Sequence, residues 1–220
     1  MEELLQQILQ ECRPYTGQGA LASYIPELAR QDPDRLVVVD EAYVDFGAQT
    51  ALPLLAKYEN LLVVRTYSKS RSMAGARLGF ALGSEALIGD LETIRFSTNP
   101  YNLNRLTLLL GEAAVADDAY YMENCKKIAA TRERTAARLK ELGFTLAPSQ
   151  ANFLFASHPA VSGETLYSAL KLRGVLVRHF KKPRISEYVR ITIGTPEQME
   201  VLFAAIEDIL KGDTACAPQR

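Results

Sequence analysis

Short continuous runs of apolar residues, separated by stretches with helical spacing, characterise the first part of the chain. Residues 36–40 (LVVVD) and 61–65 (LLVVR) are rich in β-branched side chains and suit strands buried on both faces of a parallel sheet. A helix predicted at residues 49–58 lies between them, and this order is typical of a right-handed crossover. A third strand is predicted at residues 78–82, with a helix following it. The pattern therefore predicts an α/β fold with a three-stranded sheet.

Helical spacing dominates the next part of the chain. Residues 102–143 have a helical pattern with soft interruptions at Gly111 and at Asp117 and Asp118, which predicts a linker helix followed by a long helix. The basic residues of the long helix are predicted to form a solvent-exposed face: Lys126, Lys127, Arg132, Arg134, Arg138 and Lys140. Strands and helices then alternate, which predicts a small C-terminal α/β domain. Its strands are expected at 152–156, 175–178 and 188–193, and its helices at 163–173 and 196–211.

The two ends of the chain complete the predicted organisation. One face of a predicted N-terminal helix carries four apolar residues: Leu4, Leu5, Ile8 and Leu9. A second, short helix is predicted at residues 24–30. The chain is therefore expected to have four parts, namely a helical segment at 1–35, a sheet-forming unit at 36–105, a small domain at 106–212 and a disordered tail at 213–220.

Composition narrows the class of protein. Of the 220 residues, 48% are hydrophobic and 23% are charged, which is typical of a globular protein. The chain has 25 basic and 26 acidic residues, so its net charge is close to zero and does not favour binding to nucleic acid or to an anionic membrane. No apolar run is long enough for a membrane span and the first ten residues do not resemble a signal peptide, so a cytoplasmic location is expected. The three cysteines are far apart, so neither a disulfide nor a metal site is predicted.

Asp40 and Tyr43 form the first candidate cluster, because they follow the first predicted strand at its carboxyl end. Ligands of open α/β sheets usually bind at this end of the strands. A carboxylate in this position suits a cationic ring nitrogen, and a tyrosine three residues later suits a phenolate oxygen of the same ring. The structural alternative for Asp40 is a turn or helix cap.

The second candidate cluster follows the second predicted strand and contains Thr66, Ser68 and Lys69, with Arg77 eight residues after the lysine. In a partly desolvated cleft, a neutral lysine amine can form an imine with an aldehyde. The hydroxyls and Arg77 suit a phosphate monoester. The structural alternative is a surface lysine on a polar loop. Together, the two clusters offer the groups that pyridoxal phosphate requires.

Two motifs in these clusters resemble those of the fold-type I aminotransferases, and most of all the histidinol-phosphate aminotransferases. The motifs are Asp40-Glu41-Ala42-Tyr43 and residues 66–80 (TYSKSRSMAGARLGF). Residues 148–153 (PSQANF) and 189–195 (VRITIGT) are similar to the small domain of the same family. The resemblance extends from residue 36 to residue 211.

The resemblance implies roles for five residues at a pyridoxal 5'-phosphate site. Lys69 would bind the cofactor covalently and move a proton at the substrate Cα. Asp40 would keep the pyridine nitrogen protonated, and Tyr43 would contact the ring hydroxyl oxygen. Thr66 and Arg77 would hold the cofactor phosphate.

The resemblance also implies a substrate site on the small domain. Arg190 would bind the substrate carboxylate or phosphate, and Arg178 would help to bind the substrate phosphate. Asn152 would line the site. The structural alternatives are surface arginines at strand ends for the pair and a turn for Asn152.

The implied activity is amino transfer between histidinol phosphate and 2-oxoglutarate in histidine biosynthesis, by a cytoplasmic homo-oligomer. Two alternatives stay open, namely a related pyridoxal-phosphate decarboxylase of a phosphorylated amino acid and a non-catalytic fragment. The fragment is considered because family members are longer, so the large domain at 36–105 is expected to be truncated. Residues 8–35 instead resemble the start of a bacterial glutaminase, without its Ser-x-x-Lys motif, which suggests a different origin for residues 1–35.

Overall fold

The structure, a computed structural model, describes residues 20–212, with side chains from Tyr24 onward. The predicted helix at 1–12, the predicted disorder of 213–220, and Cys12 and Cys216 lie outside the described residues. Within residues 20–212, the chain forms two sheets with six helices around them. The helices are α1 Ala20–Gln31, α2 Glu85–Thr98, α3 Arg105–Ala116, α4 Asp118–Glu141, α5 Gly163–Leu172 and α6 Pro196–Leu210. The strands are β1 Val37–Asp40, β2 Leu61–Thr66, β3 Gly79–Leu82, β4 Thr145–Ala147, β5 Phe153–Ser157, β6 Arg178–His179 and β7 Val189–Thr192.

The first sheet has the order β1-β2-β3 and confirms the three predicted strands. β1 and β2 are parallel, and β3 runs antiparallel to β2. Helix α1 covers one face of this sheet through Ile25 and Ala29, which are buried with Val37, Leu61 and Val63. The prediction of a short helix near residues 24–30 is therefore confirmed.

The helix predicted between β1 and β2 is wrong. Residues 49–58 contain only a 3-10 turn, Leu52–Leu54. The reason lies in the hydrogen bonds at its start, because the Thr50 hydroxyl and the Ala51 N–H both donate to the buried carboxylate of Glu41. Pro53 has no N–H to donate, and the chain must enter β2 at Leu61. The segment is thus fixed as a tight turn.

The second sheet has the order β4-β5-β7-β6 and is antiparallel throughout. α4, α5 and α6 pack around it, and their shared core includes Leu139, Leu170, Ile191 and Ile206. Sequence reasoning missed the three-residue strand β4. It also placed β6 three residues too early, because the Val175 N–H still bonds to Leu170 at the end of α5.

Side-chain caps set several helix starts. Ser84 accepts a hydrogen bond from the Leu87 N–H at the start of α2, and Asn104 accepts one from the Thr107 N–H at the start of α3. Thr195 and Gln198 form a capping box at the start of α6. No helix within residues 20–212 combines the length and the apolar character that crossing a lipid bilayer requires.

Apolar exposure is concentrated on the unit that contains the first sheet. β1 has a free edge among the described residues, and its residue Val38 is 52% exposed. None of the 14 residues of α2 is buried. The larger exposed apolar residues of this unit are Leu36, Val38, Phe80, Leu91, Ile94, Phe96, Tyr101, Leu106, Leu108, Leu109, Leu110 and Val115. Exposed apolar residues in this number are typical of a surface that contacts another molecule.

Candidate active site

The carboxyl ends of β1 and β2 meet at one edge of the first sheet. Asp40 pairs with Val64 in the parallel register, and the Glu41 N–H continues the ladder to the Val64 carbonyl at 2.9 Å. Thr66 ends β2 two residues later. The two candidate clusters are therefore neighbours, as the strand pattern predicts.

Asp40 is exposed at this edge. Its Oδ1 accepts a hydrogen bond from the Ala42 N–H at 2.9 Å, which is the turn-capping role named as its structural alternative. That bond uses one carboxylate oxygen and fixes the direction of the group at the strand end. A carboxylate held in this way can still receive a proton donor from the cleft.

Glu41 is the buried carboxylate of the motif, although sequence reasoning singled out its neighbour. Its side chain is 4% exposed and accepts hydrogen bonds from Arg65 Nε at 3.0 Å and Arg65 Nη2 at 2.8 Å. The Thr50 hydroxyl and the Ala51 N–H, at 2.5 Å from Oε1, complete its partners. Glu41 therefore ties the loop after β1 to the neighbouring strand and supports Asp40 and Tyr43.

The loop after β2 presents hydroxyl groups beside a strained turn. The Thr66 hydroxyl donates a hydrogen bond to the Ser68 hydroxyl at 2.9 Å. The same Thr66 oxygen accepts a hydrogen bond from the Ser68 N–H at 3.1 Å. Ser72 and Arg77 both have positive φ, 55° and 56°, which is uncommon for residues with side chains and is found at functional sites. Arg77 is exposed, and its Nη1 donates to the Ala74 carbonyl at 3.1 Å. Hydroxyls, N–H groups and a guanidinium of this kind suit a phosphate group.

Lys69 is exposed, so the expectation that it lies in a partly desolvated cleft is wrong for the described residues. Its Nζ lies 5.5 Å from the centroid of the Tyr43 ring. The amine is thus placed beside the residue that is expected to contact the cofactor ring.

The residues that follow Lys69 are firmly held. The Ser70 hydroxyl donates to Asp45 Oδ2 at 2.5 Å, and Arg71 forms an ion pair with Asp118 at the start of α4. Arg71 Nη1 also donates to the Ala114 carbonyl at 3.2 Å. Lys69 is therefore an exposed side chain, in contact with the Tyr43 ring, on a backbone that its neighbours hold in place.

A row of rings and cations connects Lys69 to the second sheet. The Tyr43 ring meets the Phe153 ring edge to face, with centroids 5.4 Å apart. The Arg190 guanidinium carbon lies 5.3 Å from the Phe153 centroid and 5.9 Å from that of Phe180. The structure thus brings Lys69, Tyr43 and Arg190 to one site, with Phe153 as the link that sequence reasoning missed.

Arg190 and Arg178 are cross-strand partners on β7 and β6. The Arg178 guanidinium carbon lies 5.5 Å from the Phe180 centroid, so both arginines contact the same ring. Arg190 Nε is buried without a hydrogen-bond partner in the described part of the chain. A buried donor without a partner is costly, and an acidic ligand group would satisfy it.

Asn152 lies next to Phe153, and its backbone carbonyl accepts a hydrogen bond from the Ile193 N–H at 2.9 Å. This bond continues the ladder between β5 and β7 by one residue, so the turn role named as the alternative for Asn152 stays a prediction. The side chain is partly exposed, so the substrate-lining role stays a prediction.

Gly111 allows α3 to approach the lysine loop closely. A Cβ at this position would lie 2.4 Å from Leu78 Cδ2, and the Tyr67 ring lies 3.8 Å from the same point. Sequence reasoning assigned Gly111 to a soft interruption of the helix. The helix continues through it, and the glycine serves close packing instead.

Cys125 is buried under the same region, at 2% exposure. Burial raises the pKa of its thiol, and the charge of Asp45 adds to this increase. The cysteine is therefore held neutral beneath the turn that carries Asp45, as a structural residue.

Arg132 is a further residue whose role could not be predicted from the sequence. It belongs to the basic run that was predicted to be a solvent-exposed face, yet its side chain is only 6% exposed. Its Nη1 donates to the carbonyls of Phe46 and Ala151, both at 2.9 Å. Carbonyl partners distant in sequence cannot be read from helical spacing, so the prediction for Arg132 is wrong.

Comparison with known proteins places this arrangement in a family. The sequence profile described as "Aminotransferase class I and II" matches residues 23–206. The chain belongs to the class I and II aminotransferase family. The match begins within the segment 1–35, and the different origin suggested for that segment stays a prediction.

Particular relatives agree with this assignment. Histidinol-phosphate aminotransferase 1 of Bradyrhizobium diazoefficiens is 47% identical over 201 residues, which are 90% of this chain and 57% of the relative. The chain thus spans a little over half the length of that relative. The resemblance drawn from the two motifs is confirmed.

Solved structures show the fold. That of histidinol-phosphate aminotransferase from Sinorhizobium meliloti, in complex with pyridoxal-5'-phosphate, has a TM-score of 0.75 at 23% identity, covering 91% of this chain and 55% of that one. L-threonine-O-3-phosphate decarboxylase from Porphyromonas gingivalis has a TM-score of 0.74 at 22% identity, covering 86% and 59%. The α/β architecture, with a three-stranded sheet and a small C-terminal α/β unit, is therefore the aminotransferase fold.

Proposed function

We propose that this chain forms the lysine-bearing part of a pyridoxal-phosphate aminotransferase that transfers the amino group of histidinol phosphate to 2-oxoglutarate. The observation that carries the proposal is the connected row from Lys69 through Tyr43 and Phe153 to Arg190. It joins a reactive amine to an anion-binding guanidinium across the two sheets. The 47% identity to a histidinol-phosphate aminotransferase supports the same substrate.

The residues present fit pyridoxal 5'-phosphate. When bound, this cofactor supplies an electron-withdrawing ring that makes the substrate Cα–H acidic. Lys69 would hold the cofactor through its amine and would move a proton at the substrate Cα. The exposed carboxylate of Asp40 would pair with the ring nitrogen, and the Tyr43 hydroxyl would donate to the ring oxygen.

The phosphate of the cofactor is proposed to lie at the loop after β2. Thr66 donates its hydroxyl, and Arg77 contributes a guanidinium from a backbone conformation that the loop keeps strained. Ser68 adds a second hydroxyl 2.9 Å from that of Thr66. The paired hydroxyls bond to each other in the structure and can turn to an anion.

The substrate is proposed to bind through Arg190, whose buried Nε needs an acceptor. Arg178, its cross-strand partner, is exposed and suits the substrate phosphate at the rim. The partly exposed side chain of Asn152 is proposed to line the same site. Two arginines on one ladder suit a substrate with a phosphate group.

A second candidate is decarboxylation of a phosphorylated amino acid. It is favoured by the fold shared with L-threonine-O-3-phosphate decarboxylase and by a site that offers two arginines for acidic groups. A third reading, a non-catalytic fragment, is favoured by the extent of the match, since the chain spans 57% of its Bradyrhizobium relative.

Complementation tests the proposal. The chain is mixed with the segment of the Bradyrhizobium relative that it does not match, together with pyridoxal phosphate. Amino transfer from histidinol phosphate to 2-oxoglutarate should appear, and Lys69→Arg should abolish it, while Lys57→Arg, at another exposed lysine, serves as the control. Carbon dioxide release from phosphothreonine without amino transfer would favour the decarboxylase. No turnover of either substrate in a stable complex would favour the fragment.

The assembly is proposed to be a homo-oligomer in the cytoplasm. The exposed apolar residues of β1, α2 and α3 support association. The other proposed partners are the small-molecule substrates, an amino-acid phosphate and a 2-oxo acid, and the net charge of −1 offers no bulk attraction for nucleic acid or membrane.

A further inference from the structure

We propose that Arg132 is a positioning residue that fixes the substrate-binding strands of the second sheet against Tyr43. This inference deepens the proposed function and rests on it for its ligand-binding consequence. Arg132 lies on α4, away from the row of rings itself. It acts through the backbone of two segments that carry the site.

The geometry of Arg132 is that of a bridge. One nitrogen, Nη1, donates to the carbonyl of Phe46 and to that of Ala151, both at 2.9 Å. Phe46 ends the 3-10 turn Val44–Phe46 that follows Tyr43, and Ala151 precedes Asn152 and the Phe153 strand. The two carbonyls belong to loops far apart in sequence, so this one side chain joins the two halves of the candidate site.

The other two nitrogens of Arg132 also have a partner. Nε and Nη2 contact Glu133 Oε1 at 3.1 and 3.0 Å, which holds the guanidinium plane in place. A planar group with several fixed donors can serve both carbonyls and the carboxylate at once, whereas a lysine ammonium is a single point charge. The arrangement therefore requires arginine for its full effect.

Neighbouring contacts reinforce the bridge. The Gln150 amide donates to the Gly47 carbonyl at 3.2 Å, in parallel with the bond to Phe46. Gly47 has a φ of 111°, a conformation that favours glycine, and it turns the chain immediately beside Arg132. On the far side of the same turn, Asp45 accepts the Ser70 hydroxyl. The turn is thus fixed to the lysine loop on one side and to the second sheet on the other.

The consequence concerns distance within the row. Tyr43 and Phe153 meet at 5.4 Å, and Arg190 lies over Phe153. Without Arg132, the loop that contains Ala151 keeps only the Gln150 amide bond to Gly47, and Phe153 with Arg190 can move further relative to Lys69. Cofactor capture by Lys69 should then persist, while binding of a substrate that must reach Arg190 should weaken.

Hydrogen exchange tests the bridge without any cofactor. Arg132→Met should speed exchange at least about tenfold in peptides that cover residues 41–50 and 148–153, since one charged donor serves both. Peptides from β2 and β7 should keep their protection. Arg134→Met is the matched control, because Arg134 is exposed on the same helix. Arg132→Lys should give an intermediate effect at both segments.

Unchanged exchange at either segment would overturn the proposal. If Arg132→Met speeds hydrogen exchange in every peptide, the variant is unfolded and Arg132→Lys becomes the test. Faster exchange in Arg132→Lys at residues 41–50 and 148–153 together, with the other peptides unchanged, supports the bridge. Exchange at the wild-type rate in both segments refutes it. With pyridoxal phosphate present, trapping at Lys69 should stay within about twofold, while the Kd for histidinol phosphate should rise at least about tenfold. A wild-type chain that traps no cofactor would refute the proposed function, and the exchange result would still decide the bridge.

Discussion

Replacing Glu41 by glutamine should be one of the most damaging single changes in the first sheet. The substitution keeps the shape of the side chain but removes its charge from a site that is 4% exposed. Two bonds from Arg65 then lose their ionic partner, and one of the oxygens that served Thr50 and Ala51 becomes an amide nitrogen.

The size of the effect follows from burial. Removing one partner of a buried ion pair costs about 3–5 kcal/mol, and the lower end applies here because the Arg65 side chain is 22% exposed and regains some water. We therefore expect a loss of about 3 kcal/mol. With a urea m-value of about 2 kcal/mol/M, the unfolding midpoint should fall by about 1.5 M.

Far-UV circular dichroism is the appropriate probe, because the chain has no tryptophan. Pulsed hydrogen exchange, read in peptides from β1 and β7, reports the unfolding of each sheet separately. The fall in the urea midpoint should be seen in the β1 peptides. Glu123→Gln is the matched control, since Glu123 and its partner Lys127 are both 67% exposed, and it should leave the midpoint unchanged. The double variant with Arg65→Met should be more stable than Glu41→Gln alone. A midpoint shift no larger than the control's would refute the reasoning.

Three further predictions follow from the same structure. In a coupled assay, the chain by itself should transfer amino groups at least about 10⁴-fold more slowly than the Bradyrhizobium relative, because lost positioning of the reacting groups can remove about 7 kcal/mol of rate advantage. A rate within about tenfold of that relative would contradict this prediction. The molar mass from light scattering should rise with protein concentration, because the β1 edge and apolar residues of α3 are exposed. Val38→Lys should reduce this rise. A monodisperse monomer at high concentration would contradict the prediction. Burial raises the pKa of Cys125, so the folded state keeps the thiol proton that the unfolded state loses near about pH 8.5. The free energy of unfolding should therefore fall as the pH rises above that value. Cys125→Ala should remove this part of the pH dependence, and an unchanged pH profile in the variant would contradict the prediction.

Much of the fold could be predicted from apolar patterning. The continuous runs at 36–40 and 61–65 became the parallel pair β1 and β2, and the helical stretch from 102 to 143 became α3 and α4. The failures have local causes. Residues 49–58 form a turn because Glu41 captures its first donors, and that capture depends on a partner nine or ten residues away.

The candidate site was predictable where motifs carry the chemistry. Asp40, Thr66 and Lys69 lie at one sheet edge, as strand order requires. Phe153 and Arg132 were missed because their roles arise only when the second sheet meets the first. A phenylalanine in a strand and an arginine on a basic helix have ordinary patterns, and only the tertiary contacts distinguish them.

Borohydride trapping tests the central claim most directly, namely that Lys69 is the residue at which this site binds pyridoxal phosphate. The purified chain is incubated with the cofactor, absorbance is followed near about 420 nm, and the product is reduced and mapped by mass spectrometry. The account predicts that the label lies mainly on Lys69, that Asp40→Asn and Arg77→Ala reduce it, and that Lys57→Arg leaves it unchanged. Label spread evenly over the exposed lysines, with no dependence on Asp40 or Arg77, would contradict the account.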